Sequence, residues 1–161
     1  MFTFKTTEKA LPPNVEINSE NIKNGKGSFV VDTGAELNLI KRRKVKSGTP
    51  IDFQIKYHLF GITEQGVKTS GEMHLNVNGV ACPFQIVPNN FPINFDGMLG
   101  MPFLAGSVID LQTKTIRHRL GEFPFTTPPQ RGATLILKAR TKQLVTLPQL
   151  RILTYRRVIY L

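Results

Sequence analysis

The sequence has few of the residues that build disulfide-bonded or metal-binding proteins. Its one cysteine, Cys82, excludes an intramolecular disulfide framework and a cysteine-rich zinc site. Apolar neighbours predict that Cys82 is a core thiol and not a nucleophile. The three histidines are scattered along the chain without a ligand-like spacing. We therefore expect no metal and no other cofactor.

Long apolar runs are also missing. No stretch approaches the roughly 20 apolar residues that a membrane-spanning helix needs. The first five residues, MFTFK, begin no apolar core of the kind found in signal peptides. These absences predict a soluble, non-secreted protein that works in the cytoplasm and makes no contact with a membrane.

The sequence contains no tryptophan but has eleven phenylalanines, thirteen glycines and eleven prolines. This composition suits short strands joined by many turns better than long helices. Apolar residues alternate in 51–60 and 73–77, which predicts strands with one buried face. Asn78-Gly79 is typical of a tight hairpin turn, and Pro102 predicts the start of a short helix. The chain length fits one domain with room for a tail.

Acidic residues are absent from the last 39 residues. Residues 123–161 hold seven lysines and arginines and no acid, whereas residues 1–122 hold fourteen lysines and arginines and all eleven acids. The basic tail is interpreted as a solvated linker, and weak contact with nucleic acid is the alternative. The run Lys41–Lys44 leaves the same two interpretations open: a solvated surface corner or a nucleic-acid contact.

The most informative stretch is the apolar run Phe29–Val31, which ends in Asp32, Thr33 and Gly34. A short, β-prone apolar run predicts a buried strand, and a carboxylate directly after it needs hydrogen-bond partners. Gly34 permits a tight turn, and the Thr33 hydroxyl can bond nearby backbone. The pattern indicates either an ordinary Asp-containing turn or a carboxylate held in place for catalysis.

Three motifs in order resemble the active-site signature of the retropepsin family of aspartic proteases, most closely the protease segment of Gypsy-class retrotransposon polyproteins. They are Val31–Ala35, the glycine-bounded hairpin Leu59–Gly66, and Gly97–Gly100. The resemblance covers roughly residues 27–119. It implies an all-β fold of the closed-barrel type, with one lobe per chain and one short helix.

The resemblance also implies a domain organisation. A polar segment, 1–24, would precede a protease domain at 25–120, and 121–161 would form a basic tail. That tail is similar to the connector that precedes the polymerase domain in such polyproteins, which suggests a truncated connector.

The site residues are transferred from the resemblance by position. Asp32 would be catalytic, Thr33 and Gly34 would support the active-site loop, and the hairpin would be a flap that closes over substrate, although an ordinary exposed hairpin is the alternative. The residues implied in binding an extended polyprotein peptide are Ala35, Gly61, Ile62, Met98 and Leu99. Each subunit of a homodimer would contribute one Asp32 to a shared site.

Two features bear on how the site would work. Asp96 precedes a glycine, but it lies in a different motif from Asp32 and is interpreted as a turn residue. Many relatives carry an arginine where Met101 stands and an acid or asparagine where Pro102 stands, which leaves Glu36 without its expected partner. The leading hypothesis is an aspartic endopeptidase; the alternatives are an inactive retropepsin-like dimer that serves as an interaction module and a nucleic-acid-binding protein.

Overall fold

The computed structural model describes residues 12–61, 63–126 and 159–160. The predicted flap residue Ile62 and the possible strands at 133–139 and 144–147 lie outside the described residues. Within the described part, no helix has both the length and the apolar character needed to cross a membrane.

The described part of the chain is mostly β-structure with one short helix, as the sequence predicts. The strands are β1 (Asn14–Asn18), β2 (Lys26–Val31), β3 (Leu39–Lys41), β4 (His58–Leu59), β5 (Val67–Lys68), β6 (Glu72–Val77), β7 (Val80–Val87), β8 (Gly97–Leu99), β9 (Val108–Asp110), β10 (Thr115–His118), β11 (Gly121–Thr126) and β12 (Ile159–Tyr160). The helix α1 spans Met101–Leu104, and short 3₁₀ turns lie at Lys23–Gly25 and Arg42–Lys44.

Nine strands form one sheet in the order β6-β7-β3-β8-β2-β1-β11-β10-β9. A barrel would require its first and last strands to pair. Here β6 and β9 remain separate edges, so the described residues do not form the closed barrel implied by the resemblance. The two ends of the sheet contribute side chains to the same core, and their turns meet where the Asn78 side chain donates to the Leu120 carbonyl at 2.7 Å.

The centre of the sheet combines parallel and antiparallel pairing. Strand β8 lies between β2, to which it is parallel, and β3, to which it is antiparallel. In this register Val31 is opposite Leu99, which places the end of β2 beside the end of β8. The chain segments that follow these two strands therefore meet at the same edge.

Both faces of β2 are buried, which explains its continuous apolar sequence. Phe29 points into the main core, where its ring contacts Phe84 edge-on at 5.5 Å. Val30 points to the opposite side and packs in a second, smaller core with Leu59 and Met98. The active-site stretch thus rests on packed side chains on both sides of the sheet.

The predicted hairpin between β6 and β7 is confirmed, and its turn contains residues typical of a tight hairpin turn. Asn78 and Gly79 have positive φ values of 50° and 84°, as a type I′ turn between β6 and β7 requires. The predicted strand over 51–60 is largely wrong, because only His58–Leu59 is a strand. Upstream of it, the Asp52 side chain accepts a hydrogen bond from the Gln54 amide and forms a local turn.

The N-terminal strand is more central than its sequence indicates. The sequence predicts only a polar segment over 1–24, but β1 within it pairs with β2 on one side and with β11 on the other. The predicted domain limits at residues 25 and 120 therefore fall inside the sheet, with β1 before the first limit and β11 after the second.

Candidate active site

Asp32 directly follows β2 and forms a compact turn. Its backbone amide donates to the Leu99 carbonyl at 3.0 Å, which ties the turn to the end of β8. The Gly34 amide donates to Asp32 Oδ1 at 2.9 Å, and the Ala35 amide donates to the Asp32 carbonyl at 3.1 Å. The carboxylate is half-buried and has one oxygen oriented by the backbone of its own turn.

A close backbone approach locks this turn onto the segment after β8. A Cβ added to Gly100 would lie 2.3 Å from the Leu37 carbonyl oxygen and 2.7 Å from the Ala35 carbonyl oxygen. One residue further on, the Met101 amide donates to the Ala35 carbonyl at 2.8 Å. Only glycine fits at position 100, so the two segments hold each other in one arrangement.

Asn38 is a supporting residue that the sequence analysis missed. Its side chain is 1% exposed; Oδ1 accepts a hydrogen bond from the Gly100 amide at 2.9 Å, and Nδ2 donates to the Pro83 carbonyl at 3.0 Å. Asn38 therefore joins the active-site turn to both β8 and β7. The one available sign was a polar residue placed inside the apolar run that follows Gly34.

The predicted flap is a short hairpin. Leu59 pairs with Val67, and His58 pairs with Lys68. The glycines at its tip have positive φ values, 85° at Gly61 and 73° at Gly66. Leu59 packs in the same small core as Val30 and Met98, so the base of the hairpin shares packing with the active-site strand.

The predicted substrate-binding residues divide by exposure. Gly61 is exposed, whereas Ala35, Met98 and Leu99 are 3%, 1% and 0% exposed. Fully buried side chains cannot line a pocket for a ligand, so in this chain Met98 and Leu99 are core residues that support the site. This differs from the pocket-lining role that the resemblance implies for them.

Asp96 is placed away from Asp32. Its Oδ2 accepts a hydrogen bond from the Ser28 amide at 3.0 Å, and Arg43 and Lys44 each lie 3.4 Å from its carboxylate. Ser28 is four residues before Asp32 along an extended strand, a separation of about 13 Å. Asp96 therefore acts as a structural turn residue, as its sequence context suggests.

The departures from the family pattern have a visible consequence. Met101 is 43% exposed, and Pro102 occupies the first turn of α1. Glu36 is exposed and has no ion pair with any residue in the described part of the chain. Position 101, where the resemblance implies an arginine, carries an apolar side chain in this chain.

Comparisons with known proteins agree with the motifs. No protein-family model matches the chain. The chain is similar to the retrovirus-related Pol polyprotein from transposon 412 of Drosophila melanogaster, with 29% identity over 127 residues; the match covers 71% of this chain and 10% of that polyprotein. The predicted resemblance to a retrotransposon polyprotein is confirmed.

A solved structure is also similar to the chain. It is the retroviral protease-like domain of Ddi1 from Leishmania major, with 16% sequence identity and a TM-score of 0.49. The match covers 76% of this chain and 100% of that one.

Proposed function

We propose that this chain is an aspartic endopeptidase that cleaves extended peptide segments of a retroelement polyprotein. The observation that carries the proposal is the turn around Asp32, in which backbone bonds to Leu99 and Gly34 fix a half-buried carboxylate at the end of a buried strand. The similarity to a retrotransposon polyprotein supports the choice of substrate.

Catalysis would require two copies of the chain, each supplying one Asp32. Two carboxylates a few ångströms apart cannot both ionise cheaply, so they share one proton and titrate as a pair. The ionised carboxylate takes a proton from a water molecule, which attacks the scissile carbonyl carbon. The protonated carboxyl donates its proton to the carbonyl oxygen, which gives a tetrahedral diol. The C–N bond then breaks as the carboxyl that took the proton from water gives it to the leaving amine and the other carboxylate takes a proton back from the diol.

The substrate would bind as an extended strand, because strand-like backbone bonds hold a peptide without depending on its sequence. Gly34 and Ala35 would lie where the peptide backbone docks, with Gly61 on the opposite side of the peptide and Ile62 over it. Closing of the hairpin would exclude bulk water from the reacting groups.

The test compares the wild-type chain with Asp32→Asn on a library of extended peptides. We expect cleavage that is sensitive to pepstatin and falls at least about a hundredfold in the variant, because a positioned acid or base contributes that much or more. Asp110→Asn is the matched control, since Asp110 also accepts a hydrogen bond from the amide two residues on, at 2.9 Å, but lies in the β9–β10 hairpin. Equal cleavage by wild type and Asp32→Asn would refute the proposal.

The second candidate is an inactive retropepsin-like dimer that serves as an interaction module. The observation in its favour is Glu36, which lacks an ion pair among the described residues because Met101 stands where relatives carry a cation. This candidate predicts a folded dimer with no turnover at any pH between about 4 and 7, the range over which the peptide assay is run. Sedimentation and the peptide assay on the same sample separate the two candidates.

A further inference from the structure

A basic cavity lies at the turns beside β1 and β3, apart from the Asp32 turn. Its volume is about 630 Å³, and its lining includes the cations Lys23, Arg43 and Lys46. Backbone contacts fix the two turns together: the Lys46 amide donates to the Asn21 carbonyl at 3.0 Å, and Ile22 forms a β-bridge with Val45. The cavity is thus built by packing between segments distant in sequence.

The charge of this cavity is poorly neutralised. Lys23 and Lys46 are exposed and have no ion pair with any residue that the structure describes, while Arg43 shares Asp96 with Lys44. Glu20 is the one carboxylate in the lining, and it accepts a hydrogen bond from the Asn76 side chain at 3.1 Å. Lys26 and Lys44 are two further cations close to the cavity. They lie next to each other, since Lys44 Nζ donates to the Lys26 carbonyl at 3.1 Å.

The remaining lining indicates which anion fits. The side chains of Asn24 and Ser47 can donate hydrogen bonds to phosphate oxygens, as such side chains do in protein complexes with nucleic acids. The lining contains no aromatic side chain on which a base could stack, and Ile22 is only 1% exposed. The apolar residues of the lining are Ile22 and the half-buried Val45.

We propose that this cavity binds the phosphate backbone of a nucleic acid without reading its base sequence. Lys23, Lys46 and Arg43 attract the phosphates by their positive charge. The polar side chains of Asn24 and Ser47 orient the phosphates by hydrogen bonds. This activity is separate from peptide cleavage and does not depend on Asp32.

The test measures binding of a fluorescently labelled, unstructured 20-nucleotide RNA to the full chain over a series of salt concentrations. Lys23→Gln combined with Lys46→Gln should weaken binding roughly tenfold and lower the salt slope by about 1.4, because each contact with a single strand contributes about 0.7. Lys114→Gln combined with Arg117→Gln removes the same charge from exposed positions on the β9–β10 hairpin and should change binding little.

The basic tail is tested in parallel with Arg140→Gln combined with Lys142→Gln. The proposal fails if the tail variant or the hairpin variant weakens binding as much as the cavity variant does. Thermal unfolding of each variant confirms that the comparison is made on folded protein.

A second measurement does not depend on variants. Acetylation of lysines in the wild-type chain, read by mass spectrometry, should be slowed by RNA at Lys23 and Lys46 but not at Lys114. Single-stranded DNA of the same length should protect the same lysines, because the site contacts phosphates. Protection by polyglutamate but not by RNA would show that the site takes acidic peptides and would overturn the proposal.

Discussion

The turn around Asp32 and the hairpin from His58 to Lys68 are held in opposite ways. The turn is tied by backbone bonds to Leu99 and by the close approach of Gly100, and it rests on two buried cores. The hairpin has two residue pairs between its own strands, an exposed tip and one buried anchor, Leu59, and it lies outside the nine-stranded sheet in a small sheet in which β4 also pairs with β12. Under the proposed function, the carboxylate that would have to keep one orientation is the fixed one, and the segment that would have to open for a substrate is the one attached at its base.

The largest expected effect comes from Gly100→Ala. The backbone angles at Gly100, φ −102° and ψ −168°, suit alanine, so any penalty comes from the added methyl group. That group would lie 2.3 Å from the Leu37 carbonyl oxygen and force the two segments apart. We expect a loss of about 3 kcal/mol or more in the free energy of unfolding, measured by urea denaturation.

Gly48→Ala is the control for Gly100→Ala. Gly48 has a positive φ of 83° and nothing within 4 Å of an added Cβ. Its substitution introduces backbone strain without a clash and should cost about 1 kcal/mol. Equal losses in the two variants would mean that the close approach at Gly100 does not hold the site together.

Asn38→Ala should have the next largest effect. The substitution removes the side-chain hydrogen-bond partners of the Gly100 amide and the Pro83 carbonyl in the protein interior. We expect a loss of about 2 kcal/mol or more, because each unsatisfied buried group costs about 1–3 kcal/mol. Asn76→Ala, which removes an exposed hydrogen bond to Glu20, should cost well under half as much. A similar loss in both variants would contradict the positioning role.

The fixed region and the hairpin also differ in what the sequence reveals. The Asp32 turn, the Asn78-Gly79 turn and the Gly61–Gly66 tip were predictable because their chemistry lies within a few consecutive residues. Asn38 bonds residues 62 and 45 positions away, and no local pattern specifies such partners. The interior position of β1 likewise depends on its pairing with β11, a neighbour in the sheet that lies about a hundred residues further along the chain.

Burial of individual apolar residues was equally hard to predict. The apolar pair Met98 and Leu99 fits a pocket wall as well as a core, and the choice depends on how β8 packs between β2 and β3. The sequence also did not reveal that the sheet is open, because the register of distant strands decides whether the two edges meet. Sequence reasoning therefore predicted the turn around Asp32 but not the contacts that hold it rigid.

A smaller effect on the free energy of unfolding is expected from the buried ammonium group of Lys41, at the end of β3. Lys41 is 5% exposed, and its ammonium donates to the Ile93 carbonyl at 2.5 Å. Burial lowers the pKa of Lys41, the nearby Arg43 lowers it further, and Asp96 opposes both. The unfolded chain therefore holds this proton more tightly than the folded chain, and stability should rise with pH between the folded pKa and about 10.4.

Lys41→Met should remove this contribution. Urea denaturation at several pH values from 7 upwards should show wild type gaining stability relative to the variant as the pH rises. The difference between the two proteins cancels the groups they share, including Cys82, whose pKa is raised by burial and which acts in the opposite direction. Parallel pH profiles would mean that the Lys41 ammonium is not penalised by its environment.

The smallest effect on global stability is expected for Gly66→Ala. An added Cβ would lie 2.7 Å from His58 Nε2 and 2.8 Å from the Leu59 carbonyl oxygen, at a positive φ of 73°. If the hairpin opens independently of the sheet, this strain is relieved by local opening, and global stability changes by less than about 1 kcal/mol. Hydrogen exchange at the Leu59 and Val67 amides should accelerate.

Cys82 reports whether that opening stays local. Its thiol is 7% exposed on β7, so alkylation in the native protein requires the main sheet to open. Gly66→Ala should leave the alkylation rate of Cys82 unchanged, whereas Asn38→Ala should increase it. A parallel increase in both variants would mean that hairpin and sheet open as one unit, and the contrast between a fixed site and a movable cover would then be wrong.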